Sequence, residues 1–347
     1  MKSYLILRLS SMGDVLLTLP VIRGILDHNP GMQLLFVTNR NFIPYFDGIP
    51  GLTLIAYDPG NGHKGITGIV RLFKEIRRYH FEAVIDLHGV LRTWVLDSIF
   101  LLSGHKVFTI NKHRKLRRRI LTERQTGISV PRTVDRYFMA FEKAGLRGGI
   151  SENPFHFEHI NSQSDPVTGQ SLRIGIAPLS RHTTKNWGLV NVQTLISLLQ
   201  DRYLTEIHLF GGRDERVALG GITGAGVFNH AGIASPSEEI GLISTMNAFV
   251  SMDSANMHLA SIIGVPVVSV WGATDPKLGF GPLYQPDDFA IFADPDQVTC
   301  RPCSVYGEKP CMRKDSPMIC MHSISPDQVM NKLIKILSAS ENNVVSV

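Results

Sequence analysis

The chain has 347 residues, 44% of them hydrophobic and only 19% charged, which is enough for two packed cores and excludes a disordered polypeptide. Thirty-five Lys and Arg against thirty Asp and Glu leave a net charge of +5, a mild excess that suits an anionic partner without requiring one. No apolar run approaches the roughly 20 residues of a membrane helix, and the first strand-like stretch, Tyr4 to Leu7, is broken at once by Arg8, so neither a membrane span nor a secretion signal is expected and a cytoplasmic protein is.

An apolar stretch at Leu5 to Leu9 runs through Ser10-Ser11-Met12-Gly13-Asp14 into a helix-like segment from Val15 to Leu26, which reads as strand, tight loop and helix. Strands at Leu34 to Val37, Leu52 to Ala56, Ala83 to Asp86 and Lys106 to Thr109 alternate with helix-compatible segments such as Ile66 to Arg78 and Arg92 to Leu102. The polar stretch from His159 to Ser171 has the composition of a surface linker and divides residues 1–165 from 166–347. Beyond it, strands at Leu172 to Ile176, Ile207 to Phe210, Gly226 to Asn229, Ala248 to Ser251 and Val267 to Val270 repeat the architecture without a sequence repeat. A terminal helix over Ser325 to Leu337, with Pro326 near its start, closes the pattern. Short apolar strands between helix-length segments predict an α/β fold with mostly parallel sheets, whose ligands favour the loops that follow the strands.

Four of those loops carry chemistry. Gly13 permits the turn after the first strand, and Asp14 reads either as the cap of the next helix or as a base that takes a proton from an attacking alcohol. The loop from Pro178 to Trp187 is dense in groups that contact phosphate or sugar: Ser180, Arg181, His182 and above all Lys185, whose ammonium either offsets a leaving diphosphate or is simply solvated. In Gly211-Gly212-Arg213-Asp214-Glu215, Glu215 is either a ribose acceptor or an exposed helix-start carboxylate. The string from Ser251 to Ala260 predicts a strand entering a helix that Asp253 and Ser254 cap. Backbone N–H groups from Ser254 through Ala255 and Asn256 would then cradle an anion, and His258 either touches the ligand or packs the helix. Neither GxxxxGK[ST] nor GxGxxG follows an opening strand.

In order and spacing over most of the chain, Arg8 to Asp14, the Lys185 loop, Gly211 to Glu215 and Asp253 to Ala260 resemble the bacterial heptosyltransferases of glycosyltransferase family 9. The resemblance implies a GT-B fold, two Rossmann-like domains facing across a cleft, with residues 1–165 on the acceptor side and 166–347 on the donor side. It implies inverting transfer of heptose from ADP-heptose to a phosphorylated inner-core acceptor of lipopolysaccharide, on a cytoplasmic enzyme peripheral to the inner membrane and with no metal in the transfer. A noncatalytic nucleotide-sugar-binding protein, or an enzyme using another donor sugar, is the alternative. By similarity Asp14 matches the acceptor-side base, Lys185 the donor-phosphate lysine, Glu215 the ribose contact, Asp253 the sugar-binding carboxylate and His258 the histidine of the donor motif. Ser254 and Ala255 stand where Thr-Gly is commoner, and alanine keeps the backbone N–H a cradle needs.

Lys112, Arg114, Lys115, Arg117, Arg118 and Arg119 form the densest positive segment, either a solvated face or, as the resemblance suggests, a contact for the phosphorylated acceptor, to which Arg92 beyond His88 is a further candidate. No aromatic ladder or binding motif accompanies them, so nucleic acid is not an expected partner. Cys300, Cys303, Cys311 and Cys320 are spaced for one structural zinc or, in principle, a rubredoxin-like iron, or else are reduced structural thiols forming a clasp away from the chemistry.

Overall fold

The computed structural model describes residues 2–124, 127–155 and 171–342, so the expected linker lies, apart from Ser171, outside the described residues. The chain forms two compact units, one of Met1–His113 with Pro131–Pro154, the other of Arg114–Val130 with Phe155–Val347.

The first unit runs β1 (Ser3–Leu7), α1 (Met12–Leu16), α2 (Leu19–His28), β2 (Gln33–Asn39), β3 (Leu52–Tyr57), α3 (Gly65–Ile76), β4 (Ala83–Asp86), α4 (Leu91–Leu102) and β5 (Lys106–Thr109). The chain then enters the second unit as α5 (Arg114–Glu123) and returns as α6 (Thr133–Lys143). The expected helix from Val15 to Leu26 is two helices. Pro20 has no N–H to give the carbonyl of Leu16, so the chain restarts with Pro20 in the first turn of α2. The five strands are parallel in the order β3-β2-β1-β4-β5. All five residues of β1 are buried, as a central strand covered on both faces requires. Helices α3 and α4 cover one face together: Ile69, Leu72 and Ile76 of the first and Leu96 and Phe100 of the second share a core with Leu5, Leu7 and Val84.

The second unit runs β6 (Leu172–Ala177), α7 (Leu189–Arg202), β7 (Thr205–Leu209), α8 (Arg216–Leu219), β8 (Val227–Asn229), α9 (Pro236–Ser244), β9 (Ala248–Met252), α10 (Ala255–Ile263), β10 (Val267–Trp271), β11 (Ala290–Phe292), α11 (Ile319–His322) and α12 (Pro326–Asn342). Its strands are parallel in the order β11-β10-β9-β6-β7-β8. The three-residue β11 has too short an apolar run to read from sequence. The terminal helix starts with a reciprocal cap, Ser325 N donating to Gln328 Oε1 (2.8 Å) and Gln328 N to Ser325 Oγ (3.2 Å). It packs on α7 and adds Val329, Leu333 and Ile336 to the core.

Strand order reverses next to the founding strand of each sheet, between β1 and β4 in the first and between β6 and β9 in the second. Loops leaving two such strands diverge and open a crevice at their carboxyl ends. The candidate loops at Asp14 and His88 follow β1 and β4, and those at Lys185 and Asp253 follow β6 and β9.

Residues 114–130, placed with the first domain by the sequence division, belong to the second unit. The cause is Arg117, which is buried rather than presented to a ligand. Its Nε donates to the carbonyl of Leu278 (3.2 Å), its Nη1 to the Tyr306 hydroxyl (3.1 Å), and its guanidinium lies 4.4 Å from the centroid of the Phe280 ring. The acceptor contact expected of this residue is replaced by a packing role, whereas Arg119 is exposed and paired with Glu123 (2.6 Å). Substituting Arg117 by Ala removes a buried cation–π contact and charge-assisted hydrogen bonds, so it should cost about 2–4 kcal/mol of stability, while Arg118→Ala stays within about 0.5 kcal/mol of the parent. Denaturant titration of the two variants checks this; equal small losses would mean that the stacking contributes nothing.

Candidate active site

At the first switch point Asp14 is not a simple helix cap. Ser11 Oγ donates to Asp14 Oδ2 (2.8 Å), and Arg8 Nη2 pairs with the same oxygen at 2.5 Å. Arg8 is buried at the end of β1, its Nη1 donating to the carbonyl of Leu87 (2.9 Å) and its guanidinium lying 5.8 Å from the Tyr137 ring centroid. Tyr137 Oη in turn donates to the Asp14 carbonyl (3.1 Å). The carboxylate is thereby held in one orientation while remaining half-buried.

The loop after β4 completes this side. Burial, followed by the cations of Arg8 and Lys112, pushes the His88 imidazole down to about 3 despite Asp14, and Arg92 adds to the effect. His88 is thus neutral, and its Nδ1 has no hydrogen-bond partner among the described residues. Arg92 Nη1 donates to Tyr57 Oη (3.2 Å). Lys112 lies over the loop: a Cβ on Gly89, which sits at φ +56°, would be 3.3 Å from Lys112 Cε. Asp14, His88, Arg92 and Lys112 therefore share one electrostatic neighbourhood in the first unit. Sequence reasoning missed Arg8 as a member, although a lone arginine ending an apolar strand was its signal.

Beneath the loop, Asp86 accepts from the backbone N–H groups of His88 (2.7 Å) and Gly89 (3.0 Å). Asp97 of α4 is buried beside it, and burial, then the Asp86 charge and the hydrogen bond between the two carboxyls, pushes its proton affinity up to about 8. A carboxyl raised on folding stabilises the protein fully below its ordinary value of 3.8, and that contribution is lost as pH rises through about 8. Wild-type stability should fall between those limits by up to about 1.4 kcal/mol per pH unit, and Asp97→Asn, which still donates to Asp86, should lack that slope. Thermal unfolding across the range reads the difference; parallel profiles would place the proton elsewhere.

At the second switch point the loop after β6 is bonded to itself. Ser180 N donates to Asn186 Oδ1 (2.8 Å), Ser180 Oγ to the carbonyl of His182 (3.0 Å), and Lys185 N to the same carbonyl (3.0 Å). This aims Lys185 Nζ at Asp253 Oδ2 (3.3 Å), which also accepts from Thr274 Oγ1 (2.8 Å). Two residues that the sequence placed separately are one nearly buried ion pair, and Thr274, at the end of β10, is a partner it missed. Gly307 packs on the lysine stem, and a Cβ there would stand 2.8 Å from Lys185 Cγ at a φ of +81°.

Ser254 precedes α10 but makes no side-chain cap bond, its Oγ lying 3.1 Å from Ser251 Oγ, so the expected side-chain cap is absent. The N–H groups of the first turn of α10, from Ala255 and Asn256 onward, are therefore not taken by a Ser254 cap. Asn256 Nδ2 donates to Glu239 Oε1 (3.1 Å), and His258 is buried in the helix. Glu215 Oε2 accepts from Gly212 N (2.7 Å), which ties the carboxylate to its own turn.

The cysteine segment braces this site. Cys303 N and Ser304 N both donate to the carbonyl of Ala273 (2.9 and 3.1 Å), Arg301 Nη2 donates to the carbonyl of Thr274 (3.2 Å), and Thr184 Oγ1 donates to that of Gly307 (2.6 Å). All four cysteines line one cavity of about 10 Å³, and none is in a disulfide. Among the described residues no three His, Cys, Asp or Glu side chains are grouped to hold a metal ion.

Two parallel-sheet units, each gathering charged side chains at its switch point, give this protein a GT-B fold. A family model described as glycosyltransferase family 9 (heptosyltransferase) matches residues 69–307, and the chain belongs to that family. It is 25% identical over 286 residues to the lipopolysaccharide core heptosyltransferase OpsX of Haemophilus influenzae, a match covering 79% of this chain and 80% of that protein. It is 24% identical to lipopolysaccharide heptosyltransferase 3 of Escherichia coli, over 76% of this chain and 80% of that one. Among solved structures, the E. coli ADP-heptose lps heptosyltransferase II superposes with a TM-score of 0.69 at 18% identity, covering 98% of this chain and 100% of that one. No helix among the described residues is long and apolar enough to cross a membrane.

Proposed function

We propose that this glycosyltransferase moves heptose from ADP-heptose to a phosphorylated inner-core acceptor of lipopolysaccharide, with inversion at the anomeric carbon. The observation that carries the reading is the Lys185–Asp253–Thr274 cluster beside the start of α10. One ammonium and a row of backbone N–H groups face the position where a leaving diphosphate gains charge, which is where electrostatic stabilisation does most for the rate. Family membership and the lipopolysaccharide heptosyltransferases to which the chain is similar support the donor and acceptor.

In the complex, the acceptor oxygen attacks the anomeric carbon, the bond from that carbon to the ADP phosphate oxygen breaks, and Asp14 takes the acceptor proton. Lys185 and the amides of Ala255 and Asn256 receive the ADP. Ser180 and Asn186 hold the lysine loop, Asp253 meets the sugar, and Glu215 and His258 line the donor side. On the acceptor side, neutral His88 offers a hydrogen bond while Arg92, Lys112 and the exposed Arg114, Lys115, Arg118 and Arg119 meet phosphate. In this scheme the leaving charge falls to Lys185 and the amides, without a divalent cation. The enzyme works in the cytoplasm, at the membrane bearing its acceptor.

Mass-resolved product formation across several nucleotide sugars and phosphorylated and unphosphorylated core acceptors tests the proposal. Transfer of heptose to the phosphorylated acceptor supports it. Donor binding without transfer to any acceptor, or a preference for another sugar, would overturn it.

A further inference from the structure

We infer that the outward face of α3 and α4 is a docking surface for a bilayer rich in anionic lipids, a role that rests on the lipid-borne acceptor proposed above. Among the described residues of the first unit, eight large apolar side chains are exposed, and six of them lie on these two helices. Ile66 is 74% exposed, Leu91 73% and Leu102 90%, with Val70, Trp94 and Leu101 beside them. The shared core is filled by Ile69, Leu72, Phe73 and Ile76 of α3 with Val95, Leu96 and Phe100 of α4, so the outward set is surplus to it. The two helices pack side by side, with Phe73 and Phe100 ring centroids 5.2 Å apart, and Ile66 and Val70 are one turn apart on α3, so the apolar groups of both helices sit on one side of the sheet. In the second unit exposed apolar groups such as Val190, Leu204 and Val217 are scattered over separate elements.

Charge selects the occupant. Lys64, Arg71, Lys74, Arg77 and Arg78 are exposed along α3 and just beyond its ends; of the acids nearby, Asp97 is buried and Glu75, 40% exposed at its side chain, pairs with His63 (3.3 Å). On the flank of α3 toward the edge strand β3, a cavity of about 550 Å³ is lined by Arg40, Arg71, Arg78 and Tyr79 together with the carboxylates of Asp58 and Glu75. Of its guanidinium groups, Arg40 has a carboxylate partner within 4.0 Å, Asp58 at 3.5 Å, while Arg71 and Arg78 have none among the described residues. An apolar strip bordered by long cationic side chains matches an acyl-chain boundary topped by anionic headgroups. A protein partner would instead be met by a groove for its anchoring side chains.

The test is co-sedimentation of the full-length protein with vesicles of phosphatidylcholine alone or mixed with phosphatidylglycerol, with neither donor nor acceptor present. Binding is expected to the mixed vesicles, to weaken at high salt, and to fall about tenfold or more in Leu101→Ser/Leu102→Ser and in Arg71→Ala/Lys74→Ala. These positions are exposed, so unfolding midpoints should not move, and transfer to a detergent-dispersed acceptor should persist in both variants. Equal binding of parent and variants would overturn the inference. So would a self-association in solution that Leu102→Ser abolishes while vesicles bind nothing, since the face would then join two copies of the chain. Vesicle binding without heptosyl transfer would leave the docking surface standing and remove the proposed reaction; the converse would do the opposite.

Discussion

Asp14→Asn should lower kcat for heptosyl transfer by about 10²–10⁴ while the KM for the donor changes little, because the variant loses only a proton acceptor needed in the transition state. The size is set by what Asn keeps. Its Oδ1 can still accept from Ser11 and Arg8, so the loop geometry around the 2.5 Å ion pair is largely preserved. It cannot take the acceptor's proton. The variant also leaves Arg8, whose side chain is 7% exposed, without its carboxylate, and breaking such a pair costs up to about 3–5 kcal/mol when fully buried. Asp14 is 20% exposed and Arg8 keeps its bond to Leu87, so the loss here should be smaller, about 1–2 kcal/mol. Initial rates at saturating substrates, read beside the unfolding midpoint, separate the two effects. A folded Asn variant that turns over at the parent rate would remove Asp14 from the chemistry.

The second large effect is expected for Lys185→Ala, a loss of about 10²–10³ in kcat/KM for the donor. Losing the ammonium does more than delete a phosphate contact. Asp253, only 11% exposed at its side chain, keeps Thr274 as a donor but becomes an uncompensated anion beside the incoming diphosphate. Attraction is replaced by repulsion in a site shielded from water. Combining Lys185→Ala with Asp253→Asn should therefore restore part of the ADP affinity without restoring turnover, a coupling that the double-mutant cycle measures directly. Calorimetric titration with ADP and initial rates give the two readouts. Strict additivity would mean that the ion pair seen between them has no bearing on the donor.

The sheets were readable because central parallel strands are buried throughout and so mostly apolar, as β1 and β9 are, and because helix-length segments separate them. The loops holding Asp14, Lys185 and Asp253 were readable for a related reason: ligands collect where strands end. What could not be read was the pairing of groups distant in sequence. Lys185 and Asp253 are 68 residues apart, and nothing in either motif says that they touch. Asp86 and Asp97 look like an ordinary strand end and an ordinary helix residue until burial beside the Asp86 charge raises the proton affinity of Asp97. Seven basic residues within eight positions look alike in sequence, yet Arg117 is buried against the Phe280 ring and bonded to the Tyr306 hydroxyl while Arg119 faces solvent. Pro20, which ends one helix and starts the next, and Arg8, which pairs with Asp14, were both legible in the sequence.

The place of α5 in the second unit also sets a timetable. Arg117 leaves the ribosome 161 residues before the Leu278 carbonyl to which it bonds, an interval of about 10–30 s at bacterial rates of synthesis. Through that interval a strongly basic helix, flanked on both sides by segments of a unit that can already fold, waits for a partner surface not yet made. The two units are thus completed in an overlapping order, and a fragment started after residue 154 would lack the cation that Phe280 and Tyr306 are arranged to receive.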